Sequence, residues 1–99
     1  MKRLCFFDEF ALGERDGSIK LFLANEIDYD RSKVVLHLEK GKKIASCLKA
    51  VSDPLIGKNL ADSFRVLSDG TFYWIDILPY FIKHYNIRLP ESFLRVVDL

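Results

Sequence analysis

The stretch Phe64-Arg65-Val66-Leu67-Ser68-Asp69-Gly70-Thr71-Phe72-Tyr73-Trp74-Ile75 decides how this chain is read. Two apolar runs flank an Asp-Gly pair, which can occupy the two positive-φ positions of a type I′ turn whose twist suits a β-hairpin. A two-residue loop at Asp69-Gly70 predicts the pairs Ser68 with Thr71, Leu67 with Phe72, Val66 with Tyr73, Arg65 with Trp74 and Phe64 with Ile75. One face then carries Arg65, Leu67, Phe72 and Trp74, and the other Phe64, Val66, Tyr73 and Ile75. Both faces are largely apolar, so the hairpin belongs at the centre of a sheet covered on both sides, with Arg65 opposite Trp74 as a cation–π pair.

Two related turn signals precede it, Arg15-Asp16-Gly17-Ser18 and Glu39-Lys40-Gly41-Lys42. The glycines stand 24 and 29 residues apart, too uneven for a repeat array, and the pattern predicts a meander of hairpins. Around the second turn, Val34, Leu36 and Leu38 alternate with Val35, His37 and Glu39, the period of a half-buried strand. A short return strand from Lys42 is expected to give way to a helical turn through Ile44, Cys47, Leu48 and Val51, stopped near Ser52-Asp53-Pro54. Residues 3–7 and 19–23 read as strands. After the last hairpin, Asp76 is placed to cap a helix carrying Ile77, Leu78, Phe81, Ile82 and Tyr85 and closed by Asn86. Pro90 then opens a short helix through Phe93, Leu94 and Val97. The expected architecture is α+β in a single domain over residues 1–99: a small, mostly antiparallel twisted sheet of five or six strands with one or two C-terminal helices.

Composition supports a packed domain: 49% hydrophobic and 13% aromatic residues exclude disorder as the main state. No apolar run approaches the ~20 residues that cross a bilayer, so no membrane partner is expected. Cys5 and Cys47 lie at no metal or redox spacing in apolar surroundings and read as reduced core thiols, which favours the cytoplasm. The net charge of +1 hides an uneven distribution, because residues 1–32, 33–58 and 59–99 sum to −2, +4 and −1. The middle excess comes from Lys33, Lys40, Lys42, Lys43, Lys49 and Lys58.

Motifs for chemistry are sparse. The five glycines form no phosphate-cradling loop, and Ile56-Gly57-Lys58 lacks the rest of a P-loop. Asp28 and Asp30 lack the glycine-centred loop and terminal Glu of a calcium site and read as an acidic loop. A Cys47–His37 dyad across the second hairpin is the one conceivable nucleophilic pair. No catalytic residue, metal or cofactor is therefore expected. The lysine segment suits phosphate contacts, but base readout favours Arg, Asn and Gln, and lysine also guards edge strands against pairing. Eight Phe, four Tyr and one Trp exceed the obvious needs of one small core, which points to an aromatic patch for a partner.

Residues 27–77 also resemble the small bacterial family known as domain of unknown function 2442. The resemblance rests on Val34-Val35-Leu36-His37-Leu38-Glu39-Lys40-Gly41-Lys42, on Ser52-Asp53-Pro54-Leu55, and on Phe64-Arg65-Val66 and Gly70-Thr71-Phe72-Tyr73-Trp74 followed by Asp76. It implies a compact α+β fold and a non-enzymatic protein, some members being encoded beside suspected toxins; it carries over no catalytic residue. Together these observations predict a non-enzymatic interaction protein whose partner is another protein, in the manner of an antitoxin or a phage-encoded inhibitor of a host defence complex. The alternative is a nucleic-acid-associated module using the lysine-rich segment, and a homo-oligomer stays open. The candidate partner-binding residues are Lys40, Lys42, Lys43, Arg65, Trp74, Tyr80 and Tyr85.

Overall fold

In the computed structural model, which describes residues 1–98, the chain runs β1 (Lys2–Arg3), α1 (Arg31–Glu39), β2 (Lys42–Cys47), β3 (Val51–Asp53), β4 (Lys58–Ala61), β5 (Phe64–Ser68), β6 (Phe72–Ile75), α2 (Leu78–His84) and α3 (Glu91–Val97). Two 3₁₀ turns, Asp8–Phe10 and Ile19–Phe22, punctuate the segment between β1 and α1. The fold is α+β: a four-stranded sheet in the order β1-β6-β5-β2, antiparallel except for β1 beside β6, and a separate β3–β4 hairpin.

The Asp69-Gly70 hairpin is central, as its two apolar faces require. On one side α1 and α3 cover it: Trp74 Nε1 donates to the Leu38 carbonyl at 3.3 Å, and Phe93 packs edge-on to Phe72 and Trp74. On the other, the N-terminal segment lies across it, with Phe6 edge-on to Tyr73 and the Tyr73 hydroxyl donating to Glu14 at 2.6 Å. The register differs from the expected one, pairing Ser68 with Tyr73, Leu67 with Trp74 and Val66 with Ile75. Asp69 stays on the strand side of the turn: its N–H donates to the Phe72 carbonyl, and its Oδ1 accepts from the N–H groups of Thr71 and Phe72 at 2.8 and 2.7 Å. Only Gly70 takes a positive φ, so the loop slips to Gly70-Thr71. The slip moves each partner by two positions, which keeps every side chain on its expected face. Arg65 now pairs with the Asp76 carboxylate at 3.3 Å instead of covering Trp74.

The alternating segment at 34–39 is helix, correcting the strand expectation. Asp30 caps α1 by accepting from the Lys33 N–H at 3.2 Å. Val34, Val35 and Leu38 face the core while Leu36 faces out, a helical spacing that an alternating strand would have violated by burying Leu36. Glu39-Lys40-Gly41-Lys42 is therefore a helix-to-strand junction. Its glycine is demanded by space, since a Cβ at Gly41 would lie 2.8 Å from the Trp74 ring and 2.9 Å from the Leu67 Cβ.

Past Gly41 the expected return strand runs on to Cys47, and the helical turn expected through Ile44, Cys47, Leu48 and Val51 does not form: these residues lie in β2, the loop after it and β3, which β4 then pairs. Asp53-Pro54 and Gly57 make their turn, the Gly57 N–H reaching the Asp53 carbonyl at 2.8 Å with φ +70 at the glycine. Near the N-terminus, the strands expected at 3–7 and 19–23 shrink to β1 and a 3₁₀ turn. Side-chain carboxylates take the N–H groups a ladder would have used: Asp16 accepts from Phe6, Asp8 from Gly17 and Glu9 from Ile19. Asp76, engaged with Arg65, does not cap α2, which starts with Pro79 in its first turn and stops at His84. The Arg31 guanidinium donates to the Ile82 and Tyr85 carbonyls and to Asn86 Oδ1, satisfying the end of α2. Cys5 is buried and its thiol pushed up by burial, whereas Cys47 is exposed, correcting its assignment to the core.

Candidate functional site

Three side-chain constellations stand out once the fold is in place. The first is a buried carboxylate. Asp53 is 0% exposed, and its Oδ2 accepts from the hydroxyls of Tyr80 at 2.7 Å and Tyr85 at 2.6 Å while Oδ1 accepts from the Leu55 N–H at 2.9 Å. Burial pushes this carboxyl up, but the two phenols and the N–H groups of Leu55 and Ile56 outweigh it and hold it below its ordinary range. Bonding to Asp53 in turn pushes the Tyr85 phenol up to about 12. Both tyrosines are thus protonated donors to a fixed anion, a clamp that ties the β3–β4 hairpin to α2. Their aromatic bodies are part of the packed structure and half-buried, so neither is the free anchor that the sequence suggested.

The second joins His37 on α1 to Asp69 in the β5–β6 turn, with Nε2 and Oδ2 2.8 Å apart. Burial raises the Asp69 carboxyl, and the N–H of Phe72, then His37 and the N–H of Thr71 bring it below its ordinary value. Phe93 lies edge-on to the imidazole. The conceivable Cys47 dyad is not assembled: Cys47 pairs with Phe64 at the far end of β2, whereas Lys42 at the near end pairs with Ser68 beside Asp69. The Ser68 hydroxyl, for its part, bonds the Phe72 carbonyl and the Gly70 N–H. Among the described residues, no group of three or more His, Cys, Asp or Glu side chains is arranged to hold a metal ion.

The third is an edge. β2 pairs with β5 on one side only, and all six of its residues are exposed. Ile44 is the extra residue of a β-bulge between the Lys43–Leu67 and Ala45–Val66 pairs. The bulge resets the alternation: Lys42, Ala45 and Cys47 share the face of Ser68, Val66 and Phe64, and Lys43 and Ser46 that of Leu67 and Arg65. Ile44 is 50% and Leu48 96% exposed, an apolar pair at the edge itself.

The lysine segment separates in space. Lys33 pairs with Asp98 at 3.0 Å and Lys49 donates to the Ala11 carbonyl, but Lys40, Lys42 and Lys43 form no ion pair among the described residues. These three exposed cations gather at the start of β2. Of the remaining sequence-selected residues, Arg65 is exposed and salt-bridged on the neighbouring strand, while Trp74 is 0% exposed and offers a partner nothing. Sequence reading missed Ile44 and Leu48 as surface residues because their helical spacing placed them on a buried face. It missed Asp53 because its partners lie 27 and 32 residues away. No family model, curated protein or solved structure matches the chain.

Proposed function

We propose that this chain is a non-catalytic binding protein that docks another protein along β2. The observation that carries the reading is an edge strand whose six residues are all exposed, bearing lysines that form no ion pair among the described residues, beside Ile44 and Leu48. Such an edge combines open backbone groups, a charge field and apolar contact area, the elements of a specific interface. The two titratable constellations support it from the other direction, because the Asp53 and Asp69 carboxylates are committed to internal donors. The resemblance of residues 27–77 to a family of small non-enzymatic proteins agrees with this reading. An antitoxin-like or phage-encoded inhibitor, acting in the cytoplasm, is its specific form: such a blocker needs a surface and no chemistry. No helix among the described residues is long and apolar enough to cross a membrane, in keeping with a partner other than a lipid bilayer.

The test is affinity capture from the native cell with the wild-type chain and with a Lys42→Glu/Lys43→Glu/Ile44→Asp variant of unchanged thermal midpoint. A protein recovered by the first and lost by the second is the expected result. Recovery of no protein at any salt overturns the reading. So does binding to mixed DNA or RNA at physiological salt that disappears when Lys40, Lys42 and Lys43 become glutamate, which would assign the edge to nucleic acid.

A further inference from the structure

We infer that β2 takes up an acidic, extended segment of its partner as an additional strand of the four-stranded sheet, an inference that rests on the docking reading above. The two edges of this sheet are treated differently. β1 is only two residues long, its Arg3 side chain is held by Asp16 at 2.9 Å, and the chain just beyond it is taken up by the Asp16 N–H donating to the Phe6 carbonyl and the Phe6 N–H donating to the Asp16 carboxylate. β2 has six residues and contains no proline, and among the described residues no backbone hydrogen bond beyond its ladder with β5 involves residues 42–47. Six residues of strand span about 20 Å, enough to template a partner strand. The bulge at Ile44 twists the ladder locally but leaves Ala45, Ser46 and Cys47 in regular register.

Charge chooses the occupant. Residues 40–49 hold four lysines and no carboxylate. On the neighbouring segments, Glu39 pairs with Lys83, Asp69 with His37 and Asp76 with Arg65, while the exposed Asp62 before β5 accepts, among the described residues, only from the Asn59 side-chain amide. A second copy laid edge to edge would bring four lysines to one ladder, Lys42 and Lys43 from each chain, with Lys40 and Lys49 flanking it and no acid among them. Like charges across a ladder repel and opposite charges attract, so the edge excludes itself and selects a strand rich in Asp or Glu. Ile44 and Leu48 supply apolar contact for the alternate side chains of that strand.

A fluorescein-labelled octapeptide of alternating glutamate and valine tests this on the full chain, beside a lysine-valine octapeptide and two glutamate-valine peptides N-methylated at every valine or at every glutamate. The unmethylated acidic peptide is expected to bind at least about tenfold more tightly than the lysine peptide and than at least one methylated form, because a strand bonds through one edge only. Binding should slow amide exchange at 42–47, and Lys42→Glu/Lys43→Glu should reverse the preference between acidic and basic peptides. Equal affinity for the acidic and basic peptides, equal affinity for all three acidic peptides, or dimerisation of the free chain overturns the inference. An oligothymidylate that binds as tightly as the acidic peptide without protecting 42–47 overturns it as well. If strand addition fails while the capture experiment still yields a protein lost with the β2 variant, the docking reading stands and only this mode of docking falls.

Discussion

β6 and β2 belong to one sheet with only β5 between them, yet Phe72, Trp74 and Ile75 on β6 are buried while every residue of β2 is exposed. The layers that bury β6, the α1–α3 pair on one face and the N-terminal segment on the other, leave β2 uncovered. The contrast teaches that a strand's role is set by what lies on its faces: β6 carries the core, while β2 is free to serve a partner. The largest expected effect sharpens this directly. Trp74→Ala removes the largest fully buried side chain and should cost about 3–5 kcal/mol in urea unfolding. Ile44→Ala on β2 should cost only about 0.5 kcal/mol. Comparable losses at the two sites would mean that β2 is buried in an assembly of this chain.

Asp53 tests the contrast through charge. Asp53→Ala strands two phenols and the Leu55 N–H, a loss of about 2–3 kcal/mol. The folded carboxyl sits below its ordinary 3.8, so its contribution is present in full above that pH. It is lost as the pH falls through the lower folded value. Wild-type stability should therefore fall on the acid side, and Asp53→Asn should remove Asp53's share of that fall, leaving the shares of Asp69 and Glu9, in a pH series of urea midpoints. Lys42 and Lys43, exposed and without an ion pair among the described residues, should give Gln variants whose acid limb follows the wild type.

Gly41 stands between the two regions, where α1 turns into β2. Gly41→Ala drives a methyl into Trp74 and Leu67 and should lower stability by about 1–3 kcal/mol, whereas Gly13→Ala, with open space around it, should change little. Thermal midpoints of the pair separate a packing effect from a general preference for glycine. Failure of Gly41→Ala to destabilise would show that α1 can shift away from β6, weakening the claim that one rigid layer sets the difference between the strands.

The hairpin at the centre was legible because two opposed apolar faces and an Asp-Gly turn are local signals, and the two-residue slip in register preserved both faces. The α+β class and the helices after β6 followed from periodicity in the same way. What stayed hidden depended on distant partners. Residues 34–39 alternate as a strand would, and only the Asp30 cap and the exposure of Leu36 distinguish a helix. The segments 3–7 and 19–23 have strand composition, but Asp8, Glu9 and Asp16 outcompete the ladder for their N–H groups. For the site, the lysines were visible from their density. Tyr80 and Tyr85 looked like anchors because the carboxylate that claims them is far away in the chain.

The smallest expected effect on stability belongs to the residues with the largest expected effect on docking. Lys42 and Lys43 are exposed and form no ion pair among the described residues. Reversing both charges should therefore move the unfolding free energy by less than about 0.5 kcal/mol. The same reversal removes the field that selects an acidic strand, so the captured protein should be lost. That separation between folding and binding is what an uncovered edge predicts. If the double variant instead unfolds several degrees lower, β2 supports the fold as β6 does, and the division of this sheet into a structural centre and a working edge is wrong.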